Sequence, residues 1–146
     1  MAAVEVLSLN KNSVKFEKRI KRIATLVLRH FRKENFSLAI YLISDRKMKF
    51  LNKKFLGKNK STDVLSFIEP KSFVYPPGRF KRLGEIYLNI PLIERQSGAN
   101  FEVALSRPLI HGFLHLLGYT HRRKNDRIKM EKQEVRLLGL LNHSVF

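Results

Sequence analysis

The stretch Leu109–Arg123, LIHGFLHLLGYTHRR, holds three of the five histidines of the chain. Residues four apart lie on one face of an α-helix, about 6 Å apart along its axis, so His111 and His115 can point at a single ion. A continuing helix would turn His121 away, but Gly118 can take the left-handed conformation that commonly ends a helix. Three imidazoles with one open position are typical of catalytic zinc. The spacing therefore predicts a Zn²⁺ site, which Ni²⁺ or Co²⁺ could also occupy.

The composition indicates a globular protein. The length of 146 residues suits one domain with a sizeable core, and 44% hydrophobic with 28% charged residues argue against disorder. There is no cysteine, which excludes disulfides and thiolate metal ligands. The first ten residues do not resemble a secretory leader, and no apolar run reaches the length of a membrane span. We therefore expect a cytoplasmic protein with no membrane partner, folded as a single domain over residues 1–146.

Net charge is the strongest global feature of the sequence. The chain has 29 Lys and Arg residues against 12 Asp and Glu residues, a net charge of +17. So large an excess on a short chain favours a polyanionic partner, of which nucleic acid is the commonest. A membrane surface is the weaker alternative, because the basic helices also carry a complete core face. Charge alone does not distinguish RNA from DNA.

The hydrophobic pattern predicts a mixed α/β layer fold of the α+β type. Short apolar runs indicate about four strands in one mixed sheet, and apolar side chains at helical spacing indicate about five helices. Residues 69–81, which are rich in proline, are expected to be irregular, with a turn at Pro77–Gly78. Strands are expected at 4–9, 36–43, 64–68 and 83–89, the last with Leu83 and Glu85 on one face.

The sequence leaves several helix starts open. Asn12 or Ser13 can cap the first helix, and Ser44 or Asp45 the second. The histidine helix can begin at one of two places, and the last helix has two candidate caps and an apolar face of four residues. The histidine helix begins either near Asn100, with a bend at Pro108, or near Ser106. The candidate caps of the last helix are Asn125 and Asp126, and its apolar face consists of Ile128, Val135, Leu138 and Leu141.

The histidine spacing equals that of the metzincin zinc peptidases, HExxHxxGxxH, including Gly118. In those enzymes the glutamate after the first histidine is the general base. Gly112 stands at that position here, and no acidic residue lies between Glu102 and Asp126. A zinc metallopeptidase is therefore only the third hypothesis.

Three motifs carry a more specific resemblance. Residues 111–121, HGFLHLLGYTH, resemble the HGxLHLxGYDH signature of the YbeY family, the bacterial rRNA-maturation endoribonucleases. Residues 62–67, TDVLSF, stand where that family has TDVLSFP, and residues 84–86, GEI, are similar to its GDI on a strand. The order and spacing of the three motifs agree, so the resemblance covers essentially the whole chain.

The resemblance implies a mixed α/β fold in which the histidine helix lies beside a basic cleft. It implies a zinc-dependent ribonuclease that prefers single strands and acts in 16S rRNA 3′-end maturation and ribosome quality control. His111, His115 and His121 match the three metal ligands of the family. The implied partners are the 16S rRNA precursor and the small ribosomal subunit, with a ribosomal protein as a further partner.

Three positions depart from the family pattern. Leu56 stands where NxxYRxKxxxTDVLSF has arginine, Thr120 replaces the aspartate before the third histidine, and Ile68 replaces a proline. An arginine at the first position could grip phosphate in the transition state, and its loss bears on catalytic strength. Other basic residues can supply charge for RNA binding, and the candidates are Lys58, Lys60, Arg122 and Arg123.

No general base stands out in the sequence. Lys58 and Glu85 are the candidate catalytic residues, although Glu85 can equally be an ordinary exposed strand residue. Our hypothesis is a metal-dependent endoribonuclease. The rival hypothesis is a non-catalytic RNA-binding ribosome assembly factor with a structural metal, which Leu56 supports.

Overall fold

A computed structural model of the chain describes residues 3–70, 81–98 and 100–144. Within them, four strands and five helices confirm the predicted α+β class, whereas the predicted turn at Pro77–Gly78 lies outside the described residues. The strands are β1 (Ala3–Ser8), β2 (Phe36–Ile43), β3 (Val64–Ile68) and β4 (Lys81–Asn89). The helices are α1 (Glu17–His30), which follows a 3₁₀ helix at Lys11–Phe16, α2 (Asp45–Leu56), α3 (Ile90–Gln96), α4 (Phe101–Leu116) and α5 (Lys124–Ser144).

The strands form one mixed sheet in the order β1-β2-β4-β3. Strands β1, β2 and β4 run parallel, and β3 pairs antiparallel with β4 at the edge. Arg82 lies opposite Ser37 and Gly84 lies opposite Leu38, so Leu83 is an extra residue in β4. This bulge turns Leu83 into the main core beside Ile86. The predicted shared face of Leu83 and Glu85 is therefore wrong, because strict alternation fails at the bulge.

Gly84 allows β3 and β4 to approach at this bulge. Its φ is +144°, and a β-carbon at this position would overlap the carbonyl oxygen of Phe67 on β3. A side chain would therefore push β3 away from the sheet. The glycine of the GEI motif is thus a requirement of the backbone.

The two faces of the sheet are covered by different helices. Helices α1, α4 and α5 contribute to the main core together with β-strand residues such as Ile40 and Ile86. A smaller cluster on the other face joins Met48 and Leu51 of α2 to Leu65 of β3. Helices α4 and α2 therefore lie on opposite faces near the edge strand. Among the described residues, no helix combines the length and apolar character needed to span a bilayer.

The helix caps agree only in part with the prediction. Ser44 caps α2, because its Oγ accepts a hydrogen bond from the Lys47 N–H at 3.1 Å. The first helical segment is capped by Asn10, whose Oδ1 accepts from the Asn12 N–H at 3.2 Å, so the predicted caps Asn12 and Ser13 are wrong. The 3₁₀ turn places the cap two residues before the expected start.

Helix α5 departs from its predicted start, and its predicted apolar face is right at Leu138 and Leu141 but wrong at Ile128 and Val135. It begins at Lys124, so the predicted caps at residues 125 and 126 lie inside its first turn. Its buried residues are Met130, Leu137 and Leu141, whereas Ile128 and Val135 are exposed. Apolar residues occupy two stripes of this helix, and packing against the main core selects one of them.

A polar network joins α2, β4 and α3 around Asp45. The Asp45 Oδ1 accepts hydrogen bonds from Ser61 Oγ and Asn89 Nδ2, both at 2.7 Å. Its Oδ2 forms an ion pair with Arg95 at 3.3 Å. The hydrogen bonds from Ser61 and Asn89 lower the pKa of Asp45 below its usual 3.8. The network anchors Ser61, which lies in the loop between α2 and β3.

We expect Asp45→Asn to lower the free energy of unfolding by about 1 kcal/mol near pH 7, because close to half of this carboxylate is exposed. Its pKa is lower in the folded state than in the unfolded state, so its stabilising effect is complete above about pH 5. The effect is lost as the pH falls through the lowered pKa. Urea unfolding of both proteins across this range measures the difference, and a gap that persists at low pH would contradict the assignment.

Candidate metal centre and adjoining cavity

Helix α4 presents two of the histidines. Asn100 caps it, since Asn100 Oδ1 accepts a hydrogen bond from the Val103 N–H at 3.2 Å. Pro108 lies inside the helix and is buried. Of the two predicted starts, Asn100 is therefore right and Ser106 is wrong. His111 and His115 follow on one face of the last two turns.

The end of α4 returns the chain towards the two histidines. Gly118 takes φ +100°, and its N–H donates to the carbonyl of His115 at 3.1 Å. The N–H of Tyr119 donates to the carbonyl of Leu114 at 3.0 Å. These two bonds form a Schellman motif, which ends the helix as predicted. The reversed chain brings His121 beside His111 and His115.

The three imidazoles converge on one point. The Nε2 atoms of His111 and His115 are 3.0 Å apart. The ring centroid of His121 lies 4.8 Å from that of His111 and 5.1 Å from that of His115. One potential ligand atom from each residue lies within 4.8 Å of the others. The fold thus assembles the predicted three-histidine cluster.

Neighbouring oxygen atoms fix the tautomers of two histidines. His111 Nδ1 donates to Glu134 Oε1 at 3.1 Å, and His115 Nδ1 donates to the Tyr119 carbonyl at 3.0 Å. A carbonyl or carboxylate oxygen only accepts, so both Nδ1 atoms carry the hydrogen, and each ring in its neutral form then presents a lone pair on Nε2. Lone pairs facing each other repel unless a cation lies between them. A tetrahedral zinc ion separates two ligand nitrogens by about 3.3 Å, so the donor set fits such a metal.

His115 also remains in its metal-binding form. Burial lowers the pKa of His115, and the charges of His111 and His121 lower it further. Neutral imidazole is the form that binds metal. The surroundings of His115 therefore favour the neutral imidazole, which can bind a metal ion at neutral pH.

Gly112 lies between the histidines and the sheet. A β-carbon there would lie 3.2 Å from methyl groups of both Ile86 and Val64. The position that carries glutamate in the peptidases therefore faces the packed sheet, where even a β-carbon would crowd its neighbours. Close packing of α4 against β3 and β4 explains the glycine.

A cavity of about 370 Å³ opens beside the cluster at the edge of the sheet. His111 and His115 form one side of it, and Leu56 at the end of α2 forms another. The rest of its lining comes from residues 62–66 and Ile68. The TDVLSF segment and the histidine segment, which are far apart in sequence, thus line one cavity.

A family model described as Endoribonuclease YbeY matches residues 5–142. The chain belongs to the YbeY family.

Proteins named Endoribonuclease YbeY from several bacteria are similar to this chain. The protein from Aquifex aeolicus is 34% identical, over 85% of this chain and 81% of its own length. The Buchnera aphidicola protein is 36% identical, over 88% of this chain and 78% of its own length. The Chelativorans protein is 39% identical, over 72% of this chain and 66% of its own length. A solution structure of a Thermotoga maritima protein matches with a TM-score of 0.59 and 27% identity, covering 97% of this chain and 93% of that one.

The basic residues singled out in the sequence lie on segments of this YbeY-family chain that adjoin the cavity lining or the histidines in sequence. Lys58 and Lys60 are exposed on the loop that joins Leu56 to β3. Arg122 lines a second cavity of about 550 Å³, together with His115, His121 and Thr120. Arg123 is exposed where α5 begins. Of these four residues, Arg122 is the one placed with two of the histidines in one cavity lining.

Glu85 lies away from this YbeY site. It is on the opposite face of the sheet from α4, where it accepts a hydrogen bond from the Tyr87 hydroxyl at 3.4 Å. It also forms an ion pair with Arg82 at 3.6 Å. Strand alternation turns it away from the side of Ile86, which α4 covers. The structure therefore does not bring Glu85 to the histidines.

Two carboxylates near the YbeY histidines were missed from the sequence. Asp63 lines the cavity beside His111 and His115, and its place in TDVLSF was an available signal. Glu134 contacts His111 from α5. It lies 23 residues beyond His111, so only the packing of α5 on α4 brings the two together.

We expect Glu134→Gln to weaken Zn²⁺ affinity by about 10-fold, and Glu134→Ala by up to about 100-fold. The carboxylate holds the His111 ring and its Nδ1 hydrogen in place, and it makes the ligand more basic. Competition with a chromophoric chelator measures the dissociation constant. Glu131→Gln, on the exposed side of α5, is the matched control. Equal affinity of all variants would contradict a role for Glu134.

Proposed function

We propose that this chain is a metal-dependent endoribonuclease that cuts single-stranded RNA in 16S rRNA 3′-end maturation and ribosome quality control. Residues 1–146 would form the single domain of this enzyme. Its cytoplasmic partners would be the 16S rRNA precursor, the small ribosomal subunit and a ribosomal protein. The observation that supports this proposal most directly is the 3.0 Å distance between the Nε2 atoms of His111 and His115 beside an open cavity. Membership of the YbeY family supports the reaction class.

His111, His115 and His121 are the proposed ligands of one Zn²⁺ ion, with Ni²⁺ or Co²⁺ as substitutes. When bound, such an ion acts as a Lewis acid on a phosphoryl oxygen, or lowers the pKa of water to about 7. The protein supplies the fixed tautomers described above, through Glu134 and the Tyr119 carbonyl. These contacts hold the imidazoles ready without reorganisation.

Basic residues are proposed to hold the RNA backbone across the cavity. Lys58 and Lys60 would contact phosphates on the α2 side, and Arg122 and Arg123 on the α5 side. Asn52 Nδ2 donates to the Lys60 carbonyl at 2.8 Å, which fixes this part of the loop. The net charge of +17 supports a strong attraction to RNA. Binding should weaken steeply with salt as counterions compete.

Asp63 is the residue that we assign as proton acceptor. It lines the cavity with His111 and His115. Its main-chain carbonyl accepts a hydrogen bond from the Asn89 N–H at 2.9 Å, which anchors the start of β3. A carboxylate in this place can take the proton of an attacking water or ribose 2′-hydroxyl. Lys58 is the weaker catalytic candidate, because it is exposed on the loop.

We expect Asp63→Asn to lower kcat about 100-fold or more, because the amide has the same shape but accepts no proton. Zinc content and RNA affinity should stay within about twofold of wild type, since neither uses this proton. Asp126→Asn, on α5, is the matched control. Unchanged turnover in Asp63→Asn would remove this residue from the mechanism.

The proposed activity is tested by incubating zinc-loaded, chelated and zinc-restored protein with single-stranded and duplex RNA. Cleavage that prefers single strands, disappears on chelation and returns with zinc is the expected result. The end groups of the product separate direct hydrolysis from transfer to a cyclic phosphate. Cleavage that survives chelation would overturn the metalloenzyme.

A non-catalytic RNA-binding assembly factor is the second candidate function. Leu56 favours it, because an aliphatic side chain lines the cavity where the family pattern has arginine. Tight RNA binding by fully zinc-loaded protein without any cleavage would select this alternative. Turnover of casein would select the peptidase, which the packing around Gly112 disfavours.

A further inference from the structure

The outer face of α2 carries aromatic and basic side chains in alternation. The strip consists of Lys47, Phe50 and Lys54, which share one side of the helix, and of Phe55, which lies about 140° around the axis from Phe50 with the Lys54 ammonium group between the two rings. Each phenylalanine leaves 54% of its surface exposed. A single exposed phenylalanine is ordinary, but two on one strip form an apolar surface that solvent does not favour. This α2 strip plays no part in the catalytic proposal above.

Lysine ammonium groups lie over both aromatic rings. The Nζ atom of Lys47 is 5.3 Å from the ring centroid of Phe50. The Nζ of Lys54 is 5.8 Å from the Phe50 ring and 5.5 Å from the Phe55 ring. Residues 45–60 contain seven Lys and Arg residues and one acidic residue. The strip thus offers flat apolar rings and positive charge at the same place.

The strip leads directly to the histidine cavity. Phe55 contacts Phe67 of β3, with ring centroids 5.2 Å apart. The next residue, Leu56, is 53% exposed and lines the cavity. Ile68, at the end of β3, is also exposed and lines the same cavity. A chain lying on the strip would therefore continue towards the histidines.

We propose that the α2 strip is a stacking platform for unpaired bases of single-stranded RNA beside the cleavage site. Bases stack on aromatic rings whatever their sequence, and lysines between the rings bind phosphates. A duplex keeps its bases inside and cannot use such rings, so the strip selects single strands. This inference rests on the proposed function, because it names how that site recognises its substrate.

The test compares aromatic with aliphatic side chains at the same exposed positions. Anisotropy of a labelled oligouridylate is measured with the full chain in chelator, so that no cleavage occurs. Phe50→Leu and Phe55→Leu should each raise Kd at least about fivefold, whereas Phe50→Tyr and Phe55→Tyr should bind like wild type. Val14→Ala, with the same 54% exposed fraction, is the control for loss of apolar surface.

Salt dependence separates stacking from charge. Lys47→Gln and Lys54→Gln should each reduce the slope of log K against log salt by about 0.7, the value for one phosphate contact to a single strand. The two leucine variants should keep the wild-type slope. Their affinity for duplex RNA should also stay unchanged, because stacking needs unpaired bases.

Three results would overturn the platform. Equal Kd values for wild type and both leucine variants would remove it while leaving the proposed nuclease intact. Leucine variants that lose binding to phosphatidylserine vesicles but keep RNA affinity would assign the strip to a membrane surface. Absence of RNA binding by the wild type itself would remove the proposed function together with the platform.

Discussion

Replacing His115 by alanine is expected to abolish metal binding and RNA cleavage together. Its Nε2 lies 3.0 Å from that of His111, and its Nδ1 is held by the Tyr119 carbonyl. Two imidazoles alone leave too few ligands for a stable zinc site. We expect zinc content to fall from one ion per chain to near zero, and kcat/KM to fall by at least about 1000-fold.

Elemental analysis and an RNase assay on the same purified sample measure both effects. His30→Ala is the control, because His30 is exposed at the end of α1. RNA affinity should be largely retained in His115→Ala, since phosphate contacts come from Lys and Arg. A His115→Ala protein that still cleaves RNA would point to a contaminating nuclease or to a different site.

The second large effect is expected when Gly112 is replaced by glutamate, the residue of the metzincin signature. A β-carbon at this position already lies 3.2 Å from Ile86 and Val64, and the remaining side chain would carry a charge into the core. Overpacking and burial of an unpaired carboxylate together should cost more than about 4 kcal/mol. We expect Gly112→Glu to be unfolded or insoluble, and to lack peptidase activity.

Gly139→Glu provides the matched control for this substitution. It introduces the same side chain into α5, where a β-carbon meets nothing within 4 Å. This variant should be as stable as wild type or more stable by up to about 1 kcal/mol, because glycine is a poor helix former. Urea denaturation of the soluble proteins gives the comparison. A folded Gly112→Glu protein that hydrolyses casein would restore the peptidase hypothesis.

The sequence predicted correctly those strands and turns whose geometry is determined by residues close together in the chain. The strands at 36–43 and 64–68 have the predicted bounds, because their apolar runs are short and bounded by polar residues. The three-histidine cluster follows from a helix spacing and a helix-ending glycine, both of which are local. These are the cases in which one segment determines its own geometry.

The features that were missed depend on contacts between distant segments. The bulge at Leu83 lies in the pairing of β4 with β2, next to the close approach of β3 at Gly84, and the strand pattern of β4 alone does not show either contact. Glu134 reaches His111 only because α5 buries one of its two apolar stripes. The same choice exposed Val135, which the sequence had placed in the core. Tertiary packing decided each of these cases.

The turn after α4 has a consequence for how such a site can evolve. Both hydrogen bonds that reverse the chain join main-chain atoms, from Gly118 to His115 and from Tyr119 to Leu114. The reversal of the chain therefore does not depend on the side chain at position 120, which precedes His121. Threonine at position 120, where the HGxLHLxGYDH signature has aspartate, changes the charge next to the third histidine while that ligand is kept. At this turn, the metal ligand His121 can therefore be kept while the residue beside it changes.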